Sequence, residues 1–382
     1  MPQPLPDPVA LLESLERTGS RIVLVSAGGG SLAVSHLLST PGASRVVAEC
    51  LVPSAREAVD LWLGGPQESY CSSRTARRMA VMAWQRACRL GVPPTAAIGA
   101  AITASLRTRE PKRGQHRVIA AIQTLGGTTA ATLVMRKDAR SRAEEEHLAA
   151  AFMLDRLASH AGVPTAAESL KLLDGEGVEI DGQEAPTAWQ ELLAGSRKAV
   201  HAANPSDTPA TGLLVFPGSF DPLHEGHVRM AVIAQEIAER PLDFELSILN
   251  VDKPALDYVE MRNRAAPFTG RSLWLTRAAT FLEKVEVFPG GTFVMGADTF
   301  ARLADPRYYG GSDEAATRAA DTIARQARGL IVFGRERAGV FEDPSRFDVP
   351  SVLRDVAYFV SPREFRMDIS STDLRRRQQP AE

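Results

Sequence analysis

The chain has 382 residues, a formal net charge of −2 and 44% hydrophobic residues. That length suits a soluble protein of two or three domains, and so balanced a charge gives no reason to expect a nucleic-acid or membrane surface. No apolar run reaches membrane-spanning length, the start Met1-Pro2-Gln3-Pro4 lacks a basic region followed by an apolar core, and Cys50, Cys71 and Cys88, without metal spacing, read as reduced thiols of a cytoplasmic protein.

Residues 7–18 read as a helix with Leu11, Leu12 and Leu15 on one face. A buried strand at 21–25, a glycine turn at 26–31 and a helix at 32–38 follow. Residues 41–49 read as a turn into a strand. Helices are expected at 54–63 and 72–90, the second capped by Ser72 or Ser73. Residues 96–104 are small and apolar and suggest a strand with a turn. Two strand-like runs, 117–124 and 128–136, flank Gly126-Gly127 and predict a hairpin. Residues 141–160 read as a helix of good propensity. Beyond it, 163–211 is mixed: helical at 167–173 and 188–202, turn-like at 174–177 and 181–182, and rich in breakers from 203, which suits a linker.

In the second half, strands are expected at 213–216, 244–249, 285–288, 293–296, 330–336 and 358–360, with helices at 228–237 and 273–282. This alternation predicts a parallel sheet of five or six strands with helices on both faces, and a site at the carboxyl ends of the strands. The first half predicts a separate α/β sandwich. The fold class is therefore α/β in two domains: residues 1–162, a connection over 163–211, and residues 212–382.

The stretch that organises the chemistry is Gly218-Ser219-Phe220-Asp221-Pro222-Leu223-His224-Glu225-Gly226-His227. A strand, a Gly/Pro turn and a helix in that order present backbone N–H groups to an anion. His224 and His227, three apart, fall at the same end, and imidazoles beside free amides suit a polyphosphate. Near the other end of the chain, Ile369-Ser370-Ser371-Thr372-Asp373-Leu374-Arg375 puts hydroxyls at a helix start and a guanidinium one turn later. Between the two lie Lys253 after a strand, Gly296-Ala297-Asp298 at a strand end, and Arg335 at another.

These motifs resemble the cytidylyltransferase-like nucleotidyltransferases, whose signatures are G-S-F-D-P-x-H-x-G-H and I-S-S-T-x-h-R (h, apolar). The resemblance implies a Rossmann-like domain and in-line attack of an acceptor phosphate on the α-phosphorus of a nucleoside triphosphate. His224, His227, Lys253 and Arg375 would be the catalytic groups. Gly218, Ser219, Phe220, Asp221, Gly226, Gly296, Asp298, Arg335, Ser370, Ser371 and Thr372 would line the nucleotide, with Asp298 on a ribose or base or capping a helix. ATP would be the donor, Mg²⁺ would bridge its phosphates, and no metal site built from protein side chains is expected. The likeness is nearest to the mononucleotide adenylyltransferases of NAD synthesis, with Trp274 a candidate to stack on the pyridine ring. A cytidylyl- or adenylyltransferase for another phosphate ester, and a silent nucleotide sensor, are the alternatives.

The first half carries Val25-Ser26-Ala27-Gly28-Gly29-Gly30, Pro41-Gly42-Ala43-Ser44, Val52-Pro53-Ser54-Ala55-Arg56-Glu57-Ala58, Ala101-Ile102-Thr103-Ala104-Ser105-Leu106 and Pro111-Lys112-Arg113-Gly114. These resemble, in order, the motifs of the nicotinamide-nucleotide amidases, the C-terminal domain of the competence-damage-inducible proteins. The resemblance makes Ser26 the possible nucleophile. The family's glutamate before it is Val25 here, its tyrosine is Pro53, and its lysine has no counterpart, so a degenerate domain is expected. Arg56 or Lys112 are the residues that could restore a base. Amidase relatives self-associate, which makes a homo-oligomer the expected assembly.

Overall fold

The computed structural model describes residues 7–110, 112–165, 170–251, 253–337 and 340–365, with backbone alone at 336, 337 and 340. The chain divides into two compact units: residues 1–190 with 252–260, and residues 191–251 with 261–382.

The first unit opens with α1 (Val9–Arg17), β1 (Arg21–Ala27), α2 (Leu32–Leu38), α3 (Ala43–Val46), β2 (Val47–Leu51), α4 (Arg56–Leu63) and α5 (Ser73–Arg89). It continues through β3 (Ala97–Ser105), β4 (His116–Gln123), β5 (Gly127–Met135), α6 (Arg142–His160) and β6 (Gly177–Glu184). Its sheet runs β2-β1-β3-β4-β5-β6, parallel across the first three strands and antiparallel from β3 onward. The small residues of β3 have a physical cause. A Cβ on Gly99 would lie 2.0 Å from the Ala80 carbonyl oxygen and 2.3 Å from the Trp84 nitrogen, so the strand lies directly on the backbone of α5. No turn interrupts it. The cap expected at Ser72 forms, its Oγ accepting from the Thr75 N–H at 3.1 Å; Ser141 and Glu144 add a reciprocal capping box at α6.

Residues 252–260 complete this unit. Tyr258 is fully buried; its N–H donates to Thr128 Oγ1 at 3.0 Å and its hydroxyl to the Leu125 carbonyl at 2.9 Å. Arg77 Nε donates to Asp257 Oδ1 at 3.0 Å, with both side chains nearly inaccessible. Burial raises the Asp257 carboxyl above its ordinary range against the pull of Arg77.

The stretch expected to be a connection differs. Residues 177–184 form β6, paired along its whole length with β5 from Gly127↔Glu184 to Val134↔Gly177. Its Asp181-Gly182, expected as a turn, lies inside the strand. Val178 and Ile180 alternate with Glu179 and Asp181, but Gly177 and Gly182 cut that pattern short and read as turns, so it is the backbone pairing with β5 that marks the strand. The helix expected over 188–202 stops early, as α7 (Thr187–Ala194), and β7 (Ala199–His201) joins the second sheet.

The second unit then runs through β8 (Leu214–Pro217), α8 (Glu225–Ala238), β9 (Leu242–Ser247), α9 (Tyr258–Ala265) from Met261 onward, β10 (Leu273–Thr276), α10 (Phe281–Val287), β11 (Thr292–Gly296) and α11 (Ala297–Arg302). It ends with α12 (Asp313–Gln326), β12 (Gly329–Phe333), the ribbon of β13 (Arg335–Arg337) and β14 (Val340–Glu342), α13 (Ser351–Asp355) and β15 (Ala357–Val360). The sheet order is β15-β12-β11-β8-β9-β10-β7, parallel except for β7 at the edge. Its core joins Val215, Phe293, Met295, Leu330 and Val332 of the strands to Phe300, Ala320, Ile323 and Leu353 of the helices.

Two expectations fail here. Residues 273–282, expected helical, hold strand β10, and 285–288, expected as a strand, hold the end of α10. All four residues of β10 are buried between β9 and β7, so its apolar run has no period to distinguish strand from helix. Thr280 and Glu283 form the capping box that starts α10 after it.

Candidate active site

The turn between β8 and α8 is built by packing. The Gly218 N–H donates to the Glu245 carbonyl on the neighbouring strand at 2.9 Å, so that amide is not available to a ligand, contrary to expectation. A Cβ on Gly218 would lie 2.5 Å from the Phe220 ring, and glycine is what fits beneath it. Phe220 holds φ at 42°, a left-handed conformation that costs a non-glycine residue of order 1–3 kcal/mol. Offsetting this, its ring is 2% exposed and meets Phe216, Phe244, Phe268 and His227 edge-on at centroid separations of 5.0–5.5 Å. The Asp221–Pro222 peptide is cis. Arg264, at the last turn of α9, donates to the Ser219 carbonyl at 3.1 Å and to Asp221 Oδ2 at 3.2 Å, tying the loop from outside. Among the described residues, the N–H groups of Ser219 and Phe220 make no hydrogen bond.

α8 starts one turn earlier than the apolar spacing suggests, at Glu225, with His224 as its extended N-cap residue. The two imidazoles stack, with centroids 3.6 Å apart and planes 20° from parallel. The His224 N–H donates to His227 Nδ1 at 3.3 Å, which leaves His227 as the Nε2–H tautomer. Burial, then the charge of His224, pushes His227 down to about 3; burial lowers His224 too. Both rings are therefore neutral at pH 7, as close stacking at a positive helix end requires. His224 Nδ1 is buried and has no hydrogen-bond partner among the described residues. Gly226 is buried between the two histidines in the first turn.

Gly296 ends β11 and is itself the N-cap of α11; Asp298 stands in the first turn and is not the cap. Its Oδ2 accepts from Arg335 Nη1 at 2.6 Å, joining two candidate residues at the ends of adjacent strands. Lys253 lies in the segment counted with the first unit, not with this cluster. Ser370, Ser371, Thr372 and Arg375 lie outside the described residues. Trp274 sits on a strand, edge-on to His201 at 4.9 Å, and with Asp207, Asp243 and Ser272 lines a recess of about 560 Å³ at the starts of β8, β9 and β10.

In the first unit, Ser26 is 2% exposed and its hydroxyl donates to the Gly29 carbonyl at 2.9 Å. The glycine turn is filled from within: Glu146 accepts from the Gly30 N–H at 2.9 Å, Ser31 Oγ at 3.0 Å and the Leu32 N–H at 3.3 Å. Neither suggested activator reaches Ser26. Arg56 stacks over Tyr70 at 5.3 Å, and Lys112 Nζ lies 2.6 Å from Ser105 Oγ. Spacing does not mark Arg264, Glu146 or Ser105: Arg264 and Glu146 meet partners far along the chain, and Ser105 falls inside the run 101–106 that resembles an amidase motif.

Over 73 residues the chain is 40% identical to a probable nicotinate-nucleotide adenylyltransferase of Thermotoga petrophila, covering 19% of this chain and 33% of that enzyme, so the match spans about a third of its relative's length. Among solved structures, a competence-damaged protein (CinA) superfamily protein of Escherichia coli aligns at 21% identity and TM-score 0.32, covering 38% of this chain and 86% of its own. A competence/damage-inducible protein of Agrobacterium tumefaciens aligns at 20% and 0.33, covering 40% and 96%. Residues 215–377, which hold the β8–α8 turn and its stacked imidazoles, match the family model of the cytidylyltransferase-like proteins.

Proposed function

We propose that residues 212–382 transfer an adenylyl group from ATP to nicotinate or nicotinamide mononucleotide, giving the dinucleotide and pyrophosphate. The observation that carries the reading is the pair of neutral, stacked imidazoles at the start of α8, beside the unbonded N–H groups of Ser219 and Phe220. No side chain need act as nucleophile. The acceptor's phosphate oxygen attacks the α-phosphorus in line and pyrophosphate leaves, so the protein's work is positioning and charge stabilisation. His227 donates from Nε2–H to a phosphate oxygen, the amides of Ser219 and Phe220 hold another, and Arg335, steadied by Asp298, faces the nucleotide. The roles of Lys253, Ser370, Ser371, Thr372 and Arg375 rest on the resemblance. Mg²⁺ would be held by the nucleotide's phosphates, where it would supply charge neutralisation.

For the first unit we propose a degenerate amidase at Ser26, since its hydroxyl and its glycine turn are both committed within the chain. Pyrophosphate release from ATP, measured with nicotinate mononucleotide, nicotinamide mononucleotide or a sugar phosphate as acceptor, tests the main reading. Release with a pyridine mononucleotide supports it. Release only with CTP as donor points to cytidylyl transfer, and nucleotide binding without release points to a sensor.

A further inference from the structure

We propose that Ser105 and Lys112 form a nucleophile–base pair in the first unit that hydrolyses carboxylic esters, an activity independent of nucleotidyl transfer and of Ser26. Ser105 is the last residue of β3, at the carboxyl end of the strand that pairs with β1, and its side chain is half-buried. Lys112 returns to it across the following loop. Its Nζ lies 2.6 Å from Ser105 Oγ and 2.7 Å from the Leu106 carbonyl. A carbonyl can only accept, so one N–H of Lys112 belongs to Leu106. In the ammonium form a second N–H donates to Ser105 Oγ; in the neutral amine a lone pair is available at that same 2.6 Å separation to accept the Ser105 proton, as a base must.

The surroundings make that neutral amine easier to reach than in a free lysine. Among the described residues no carboxylate forms an ion pair with Lys112. Burial lowers its pKa from the ordinary 10.5, and the cations Lys137 and Arg142 add to the effect, against the opposing pull of Glu145 and Cys71. Glu145 is occupied elsewhere: His116 Nδ1 lies 2.6 Å from its Oε1 and the Arg107 N–H donates to Oε2 at 2.5 Å. Arg142 is engaged by Glu146 at 3.1 Å, and Lys137 donates to the Lys112 carbonyl. Cys71 is a poor competitor, because burial raises its thiol.

The chemistry balances without a cofactor. As Ser105 Oγ bonds to the ester carbonyl carbon, Lys112 takes its proton. Collapse breaks the bond to the alkoxy oxygen, and Lys112 gives that proton to the departing alcohol. Water then attacks the acyl-serine, Lys112 again takes and returns a proton, and the acid leaves with Ser105 restored.

The test uses the full-length protein with p-nitrophenyl acetate. Expected are p-nitrophenol release above background, an acetyl group that mass spectrometry maps to Ser105 when the reaction is quenched early, and a rate that rises with a pKa below 10.5. Ser105→Ala and Lys112→Arg should each lower the rate about a hundredfold, while their pyrophosphate release, if the transferase reading holds, and their thermal melting stay as in the parent. Acetyl found on Ser26, Cys71 or Lys112, an undiminished rate in Lys112→Arg, or a parent rate no greater than background would each overturn the proposal without bearing on nucleotidyl transfer.

Discussion

At the scale of single residues, the imidazole pair makes two predictions. Under the proposed transfer, replacing His227 with alanine should lower pyrophosphate release by about 10²-fold or more while the thermal midpoint holds. An unchanged rate would remove His227 from the mechanism. The second concerns pH. Unfolded, His227 has its ordinary pKa of 6.5; folded, it is near 3. Between those values the unfolded state binds the extra proton, so stability falls as pH drops from about 6.5 towards 3, by up to about 1.4 kcal/mol per pH unit for this group. Urea unfolding at pH 7 and pH 5 checks it, and His227→Asn should flatten the slope. Arg264 holds the loop that carries Ser219 and Asp221, which under the proposed transfer makes it a positioning residue. Arg264→Ala should free Ser219 and Asp221, raising KM for ATP more than it lowers kcat, with partial rescue in Arg264→Lys; equal effects on both constants would argue against a positioning role.

At the scale of elements, the β8–α8 corner and the β3–α5 contact both depend on a glycine with nothing to spare. Gly218→Ala puts a methyl group into the Phe220 ring, which can yield only by leaving its aromatic cluster, and about 1–3 kcal/mol of stability should be lost together with activity. At Gly99 the obstruction is helix backbone, which cannot turn aside as a side chain can, so Gly99→Ala should cost more than Gly218→Ala in the same denaturation experiment. The same elements show where spacing alone was legible. The helix at 72–90 announces itself by its cap and the helix at 141–160 by its propensity, and both form as expected. β10 does not, since a strand buried on both faces and a buried helical turn share one pattern. β6 does not either, because Gly177 and Gly182 leave only a four-residue alternation between turn signals.

At the scale of the whole molecule, the compact units do not follow the chain in simple halves. Asp257, Tyr258 and Val259, which the sequence places in the second half, are buried in the first unit, and Arg77 holds the first of them. A chain shortened to residues 191–382 would leave these side chains without their partners. It should bind a hydrophobic dye and exchange the amides of this segment rapidly, whereas the full chain protects them. Arg77→Ala in the full chain would leave Asp257 buried beside no guanidinium, at a cost of about 3–5 kcal/mol if it stays ionised. The Asp257→Asn, Arg77→Met double variant should regain much of that loss.

The sequence by itself determined the two α/β folds, the β8–α8 corner with its histidines and the order of the landmarks after it. Each is written in local terms: a period, a cap, a glycine beside an apolar run. Only the tertiary structure decided which of those groups are already spoken for. The Gly218 amide is used by Glu245 and the Ser26 hydroxyl by Gly29, while Lys112 stands on Ser105 and Asp298 on Arg335. Hydrogen-bond partners and burial are set by residues brought together from distant parts of the chain, and one-dimensional spacing carries no record of them.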